Sequence, residues 1–170
     1  MDLKVSLLMD RAANEIFAAK ALKKLSEEEQ LKQEFEFPNS VSFYSSVINH
    51  SYYAIFYSAK AYLIEKNIQL KSTQGQHQQV YFEFRKLVEI GIIEKELLRI
   101  YEEIMGRAEA LLDILKTERT KRTNFTYETI PQANKEPAED SLNNALFFIS
   151  HIKEFIEGEL ISRKNKEKSR

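Results

Sequence analysis

The chain has 170 residues, four glycines, three prolines, no cysteine and a formal net charge of −1 at pH 7. A chain of this length fits one domain, and so few turn-forming residues argue against an all-β fold. The lack of cysteine excludes disulfides and thiolate zinc sites, and the near-neutral charge gives no global sign of a nucleic-acid-binding protein.

Targeting signals and membrane spans are not indicated by the sequence. The first residues alternate charged and apolar side chains, which is not the pattern of a signal peptide. No run approaches the roughly 18 consecutive apolar residues that a membrane-spanning helix needs. The expectation is therefore a soluble protein in the cytoplasm.

The chain opens with an amphipathic segment. Residues 3–25 place apolar side chains at helical steps of three and four, so we expect a helix with one buried side. An acidic stretch, residues 26–36, is expected to be a connection that runs into Pro38. Asn39 or Ser40 is expected to cap the next helix.

That next helix, residues 40–64, contains Lys60 as its only formal charge and has apolar residues on two sides. A helix that is apolar on two sides is buried on both, so it is expected at the centre of the fold. One stripe can face the domain core, and the other needs a further helix or a second subunit. The dimer interface predicted from this second stripe consists of Phe43, Val47, Ala54, Tyr57 and Ala61.

Three more helices are expected in the second half of the chain, over residues 76–90, residues 94–116 and a final segment with Pro137 in its first turn. Gly91 suits the C-terminal end of the first of these. Residues 117–136 have no clear periodicity, and a connection of this length in a compact domain is often functional.

The predicted fold is therefore all-α, an antiparallel bundle of about five helices. We expect residues 1–162 to form a single domain. The basic tail, residues 163–170, is expected to fray.

The sequence indicates neither a metal centre nor a familiar catalytic motif. Its histidines are His50, His77 and His151, and the Glu-x-x-His pattern of ferritin-like di-iron bundles is absent. Ser46 lies one helical turn before His50, but no carboxylate of the same helix can orient that imidazole. No glycine-rich phosphate loop is present. We therefore expect no metal and no cofactor, and the catalytic residues stay unassigned.

Two features are compatible with nucleic-acid binding. Tyr52, Tyr53 and Tyr57 lie on one helix and cannot all point into the same core, which leaves phenols for stacking on bases. The start of the long connection concentrates cations, hydroxyls and an amide, which suit a phosphate backbone. The candidate ligand-binding residues there are Arg119, Arg122, Asn124 and Tyr127. The alternative is a solvated helix end whose cations interact with the helix dipole.

Residues 49–63 read NHSYYAIFYSAKAYL, which is an aromatic pair, an alanine, a hydrophobe and a phenylalanine, followed by Ala-Lys-Ala and a hydrophobe. This pattern resembles the central helix of the HEPN family (higher eukaryotes and prokaryotes nucleotide-binding domain). The resemblance continues to His77 and resumes between Arg122 and Tyr127, so that it covers most of residues 40–156.

The resemblance implies a five-helix bundle that is usually a homodimer. Many HEPN proteins are metal-independent ribonucleases, often toxins paired with a small nucleotidyltransferase-type antitoxin. Their active site carries an Arg followed within a few residues by His, and the 2′-hydroxyl of RNA is the expected nucleophile. In this chain no His follows Arg119 or Arg122 at that spacing, and Tyr127 stands there instead. Relatives also often carry Arg where this chain has His50.

Three hypotheses follow. The leading one is a HEPN-type homodimer that binds RNA or a nucleotide and has a nucleotidyltransferase-type partner, with His50 or His77 reaching the residues of the long connection. The second is an active metal-independent ribonuclease in which one of these histidines replaces the missing one. The third is an interaction module whose function is its dimer surface.

Overall fold

The computed structural model of the chain describes residues 2–70, 75–121 and 134–168, with side chains described up to residue 113 of the second range and residue 162 of the third. The all-α prediction is confirmed, because these ranges contain helices and no strand. The helices are α1 (Leu3–Glu27), α2 (Glu29–Glu34), α3 (Tyr44–Glu65), α4 (Gln76–Glu89), α5 (Lys95–Lys121) and α6 (Lys135–Lys168).

Helix α1 forms as its periodicity predicts. Asp2 begins it as N-cap, because the Asp2 carboxylate accepts from the backbone N–H of Lys4 at 2.9 Å. The apolar stripe from Val5 to Ala19 is buried, and charged residues occupy the other faces. α1 runs antiparallel to α3, since Ser26 near its C-terminal end contacts Phe43 just before α3 begins.

The stretch between α1 and α3 differs from the sequence prediction. Residues expected to be a connection form the short helix α2, in which the largely aliphatic stem of Lys32 is buried and its ammonium donates to the carbonyl of Asn39 at 2.9 Å. The predicted cap at Asn39 or Ser40 is wrong. The hydroxyl of Ser26 accepts from the backbone N–H of Phe43 at 2.7 Å, and α3 begins at Tyr44 with no side-chain cap.

Helix α3 is the centre of the bundle, as predicted, and packs against α1, α4, α5 and α6. Its second apolar stripe is covered by the chain's own helices, because Val47, Ala54 and Ala61 are 0% exposed in the single chain. Phe43 and Tyr57 are half-buried. Helices of the same chain therefore bury this stripe, and the stripe by itself gives no evidence for a second subunit.

Helix α4 ends in a Schellman motif. Gly91 follows it with φ of 77°, and the N–H groups of Gly91 and Ile92 donate to the carbonyls of Val88 and Leu87 at 3.0 and 2.9 Å. A residue without a Cβ adopts this left-handed conformation at no steric cost, which confirms the prediction for Gly91.

The last two helices are longer than the sequence predicted. α5 continues to Lys121, so the first five residues of the expected connection are helical. Pro137 lies in the first turn of α6, as predicted, and α6 continues through Lys168 where a frayed tail was expected. Arg107 of α5 binds the start of α6, because its guanidinium donates to the Pro137 carbonyl at 2.9 Å and to the Ser141 hydroxyl at 3.0 Å.

Candidate functional site

The structure describes only part of the ligand-binding set expected from sequence. Arg119 lies on α5, but its side chain is outside the described residues, and so are Arg122, Asn124 and Tyr127 altogether. His50 and His77 are described. The site is therefore built from α1, α3 and α4, the helices that carry and contact these two imidazoles.

His50 is held by a carboxylate from another helix. Nδ1 of His50 lies 2.6 Å from Oε2 of Glu15 on α1, with side-chain exposures of 36% for His50 and 23% for Glu15. A carboxylate accepts only, so Nδ1–H donates to it, and in the neutral ring Nε2 is left as an acceptor. This is the arrangement of a general base and its orienting group.

Glu15 is not among the site residues predicted from sequence, because it lies on α1 and not on the helix of His50. Glu15 precedes the buried Ile16 on α1, so its side chain flanks the interface with the next helix. Periodicity therefore places Glu15 at the edge of that interface. It does not give the register of α1 against α3, which decides that Glu15 meets His50.

His77, near the start of α4, packs on the aromatic side of α3. Its Nδ1 lies 2.7 Å from the hydroxyl of Tyr52, and its ring stacks on Phe56 with centroids 4.1 Å apart. Burial, and secondly the positive charge of Lys60, lower the pKa of His77. Burial, followed by Tyr53 and Glu109, raises the pKa of Tyr52 to about 12.

Both partners of this hydrogen bond are consequently uncharged near neutral pH. The phenol of Tyr52 keeps its proton and can donate it to Nδ1 of His77, which leaves the proton of the neutral imidazole on Nε2. In that tautomer His77 presents an N–H donor to solvent or to a ligand. His50 and His77 thus offer opposite hydrogen-bonding characters at their free nitrogens.

A continuous run of rings extends along α3 from His77. Tyr53 lies 5.7 Å from the His77 ring and 6.2 Å from the Tyr57 ring, which it stacks on at 27°. Tyr52 lies 5.5 Å from Tyr53. The guanidinium carbon of Arg11 on α1 sits 4.9 Å over the Tyr57 ring. We call the set formed by Arg11, Tyr52, Tyr53, Tyr57 and His77 the tyrosine surface.

His50 of α3 and His77 of α4 lie on different sides of α3. His50 and Tyr52 are two positions apart on the helix, so they project in different directions, and the contacts of His50 and His77 are separate. Tyr53 lies between them, since it is three positions after His50 and also contacts the His77 ring. Whether Arg122 joins them lies outside the described residues.

Positive charge gathers at one side of the tyrosine surface. The ammonium of Lys60 donates to Oε1 of Gln76 at 2.6 Å and lies 5.9 Å from the centroid of Phe56. Burial, then the charges of Lys4 and Arg11, lower the pKa of Lys60. The sequence signal for Lys60 is that it is the only formal charge within the predicted central helix, although Lys60 is not among the predicted site residues.

Over residues 2–70, 75–121 and 134–168, no group of three or more His, Asp or Glu side chains is placed to hold a metal ion. Within those same ranges, no helix is both long and apolar enough to cross a membrane.

Comparison with known proteins identifies the family. Neither a curated protein nor a solved structure matches the chain. A family model for the HEPN domain does match, over residues 15–155. This range contains Glu15, the whole of α3 and every residue of the tyrosine surface except Arg11. This is the family that the pattern on the central helix resembled. The chain therefore belongs to the HEPN family, whose functions generally concern nucleotides or RNA.

Proposed function

We propose that this protein is a HEPN-type RNA-binding protein and that the tyrosine surface binds single-stranded RNA. One observation carries the proposal: the run of aromatic rings from His77 through Tyr53 to Tyr57 ends under the guanidinium of Arg11. Protein surfaces that bind single strands combine stacking rings with cations in this way.

The exposure and chemistry of these side chains suit the two parts of a nucleotide. Tyr53 is 39% exposed, so a base can stack on it, and such stacking contributes about 1–3 kcal/mol per base. Arg11 already lies over an aromatic face, which leaves its N–H groups for phosphate oxygens. The chain has a net charge of −1, so the attraction for RNA is local to this surface.

Tyr53→Ala tests the proposal. We expect the variant to bind an end-labelled, single-stranded RNA about tenfold or more weakly than the wild type in a fluorescence anisotropy titration, because one stacking platform is lost. Phe82→Ala is the matched control, since Phe82 is an exposed aromatic residue of α4 outside the tyrosine surface. Equal RNA affinity for wild type and Tyr53→Ala would contradict binding at this surface.

We further propose that the protein acts as a homodimer, with a nucleotidyltransferase-type partner in a toxin–antitoxin-like system. Family membership supports this, and so do large apolar side chains left exposed on α1 and α6, Phe17 at 64% and Phe147 at 42%. Light scattering at micromolar concentration should give twice the chain mass of 19.9 kDa. A mass of one chain would contradict the homodimer.

The second candidate function is a metal-independent ribonuclease, and the Glu15–His50 pair favours it. Nε2 of His50 can take the proton of a ribose 2′-hydroxyl while that oxygen attacks the adjacent phosphorus and the bond to the 5′-oxygen breaks. The products are a 2′,3′-cyclic phosphate and a 5′-hydroxyl, whose oxygen takes a proton from water. The cationic side chains proposed from sequence, Arg119 and Arg122, would stabilise the charge on the phosphate, with Asn124 and Tyr127 as hydrogen-bonding groups.

Cleavage in EDTA distinguishes the two functions. A ribonuclease of this kind should cut labelled RNA without metal, lose activity in His50→Ala and Arg122→Ala, and lose about 10- to 100-fold in Glu15→Gln, because general-base catalysis depends on an oriented imidazole. Intact RNA after incubation with the wild type would leave RNA binding as the function and refute the ribonuclease.

A further inference from the structure

A pocket of about 420 Å³ lies where three parts of the chain meet. Lys4 comes from the first turn of α1, Lys60 from the C-terminal half of α3, and Gln76 from the first residue of α4. The volume falls within the range of about 300–1,000 Å³ typical of small-molecule sites. The pocket is at the end of α1 where that helix begins, away from the end at which Lys135 of α6 pairs with Glu27.

The charges around the pocket favour an anion. Lys4 and Lys60 line it, and Arg11 is close enough to Lys60 to lower the pKa of that ammonium, as Lys4 also does. The acidic group in the lining is Asp2, whose carboxylate accepts from the backbone N–H of Lys4 as the cap of α1. Two cations therefore face one carboxylate that is already engaged, and a bound anion would relieve the repulsion between the cations.

The pocket adjoins the tyrosine surface. The ammonium of Lys60 lies 5.9 Å from the Phe56 centroid, and the Phe56 ring stacks on His77 at 4.1 Å. The cationic pocket and the stacking rings of the tyrosine surface therefore lie on either side of the buried Phe56 ring, and a ligand that spans them needs an anionic end and a stacking end. Phosphate joined through ribose to a base has this division into an anionic and a stacking part.

We propose that this pocket binds the terminal phosphate monoester of a nucleotide or of an RNA 5′ end, between Lys4 and Lys60. The identity of the ligand rests on the proposed nucleotide- or RNA-related function, whereas the selection of a phosphate rests on the two lysines and the volume of the pocket. The amide oxygen of Gln76 accepts from the ammonium of Lys60, and this hydrogen bond joins two residues that line the pocket.

The pocket is tested with AMP and adenosine as probes, by titration calorimetry of the full chain. We expect AMP to bind at least about tenfold more tightly than adenosine, since a charge-assisted pair with phosphate is worth more than tenfold in affinity. Lys60→Gln and Lys4→Gln should each weaken AMP binding about tenfold for the same reason. Lys20→Gln, an exposed lysine of α1 outside the pocket, is the control and should leave AMP affinity unchanged.

Lys4 is exposed, so Lys4→Gln tests the pocket even if Lys60→Gln does not fold. Equal binding of AMP and adenosine, no binding of AMP to the wild type, or unchanged AMP affinity in both lysine variants would each overturn the proposal. If RNA does not bind but AMP binding depends on Lys4 and Lys60, the pocket stands and RNA binding at the tyrosine surface fails.

A pair of RNA oligonucleotides, one with a 5′-phosphate and one with a 5′-hydroxyl, separates the two sources of the phosphate. A gain in affinity from the 5′-phosphate that disappears in Lys60→Gln supports the RNA end as ligand. Lysine-dependent binding of AMP without such a gain supports a free nucleotide. If neither probe depends on the lysines, the pocket does not bind a phosphate monoester.

Discussion

Aromatic residues have two different roles in this bundle. In the interior cluster, Phe84 of α4, Tyr101 of α5 and Phe148 of α6 are fully buried, with ring centroids 5.4–6.0 Å apart. On the tyrosine surface the rings are about as far apart, yet Tyr53 is 39% exposed and Tyr57 carries the guanidinium of Arg11.

Ring spacing therefore does not distinguish a buried aromatic cluster from a partly exposed one. The difference lies in what covers the rings and in where their polar groups point. The hydroxyl of Tyr101 is buried without a hydrogen-bond partner among the described residues, whereas the hydroxyl of Tyr52 is bonded to His77. Packing of the interior cluster stabilises the fold, whereas the exposed ring of Tyr53 on the tyrosine surface is available to the proposed ligand.

Phe148→Ala should give the largest effect. Removing a fully buried ring leaves a cavity among three helices, so we expect the free energy of unfolding to fall by about 3–5 kcal/mol. Urea unfolding followed by circular dichroism measures this loss. Tyr53→Ala, measured in the same way, should change stability by less than about 1 kcal/mol, because exposed positions contribute little. Similar losses in the two variants would erase the distinction between the two regions.

Tyr101→Phe should act in the opposite direction. The buried hydroxyl of Tyr101 has no partner in the described part of the chain, and burial raises the pKa of this phenol well above its usual value. Removing an unsatisfied buried hydroxyl is expected to raise the free energy of unfolding by about 1 kcal/mol. A melting temperature lower than that of the wild type would show that this hydroxyl is satisfied in solution, for instance by water.

Arg11→Gln sharpens the description of the tyrosine surface. Loss of one exposed ion pair between Arg11 and a phosphate costs up to about 1 kcal/mol, so RNA affinity should fall by up to about fivefold. The slope of the logarithm of affinity against the logarithm of salt concentration should also decrease by about one, because one phosphate contact is lost. Lys20→Gln removes a charge from the same helix and should change neither. An unchanged salt slope in Arg11→Gln would place the phosphate contacts elsewhere.

The smallest expected effect concerns pH. The pKa of His77 is lower in the folded chain than its unfolded value of about 6.5. At a pH between these two pKa values, His77 is protonated in the unfolded chain and neutral in the folded chain. The contribution of His77 to stability is therefore complete above about pH 6.5 and is lost as the pH falls towards the folded pKa.

His77→Gln removes that contribution. The drop in melting temperature between about pH 7.5 and about pH 5.5 should be smaller in the variant than in the wild type. His151→Gln is the control variant, because His151 lies on α6 and its ring packs on Phe147. An equal drop in wild type and His77→Gln would mean that other groups produce the whole pH dependence.

Much of the fold could be predicted from local patterns in the sequence. Helix periodicity predicted α1, the central position of α3 and the end of α4 at Gly91, because each depends on residues close together in the sequence. The short helix α2 was missed, since its buried residue is a lysine and an acidic stretch with a lysine has no apolar stripe.

The candidate site could be predicted from the sequence only in part. Tyr52, Tyr53 and Tyr57 were singled out because three phenols on one helix cannot share a core, and His50 and His77 were named from their residue type and the family resemblance. Arg11 and Glu15 were not found, because their roles depend on how α1 and α3 are aligned along each other. Periodicity fixes which side of a helix is buried and leaves this axial alignment undetermined.

The hydroxyl of Ser26 has a consequence for the order of folding. It donates to the Leu22 carbonyl at 2.7 Å and accepts from the Phe43 N–H at 2.7 Å, so it joins the end of α1 to the start of α3 across only 17 positions. Contacts of short sequence separation form quickly, because little loop entropy is lost when they close. We expect the α1–α3 hairpin to assemble early, and with it Arg11, Glu15, His50 and the tyrosines, before α6 docks to complete the core.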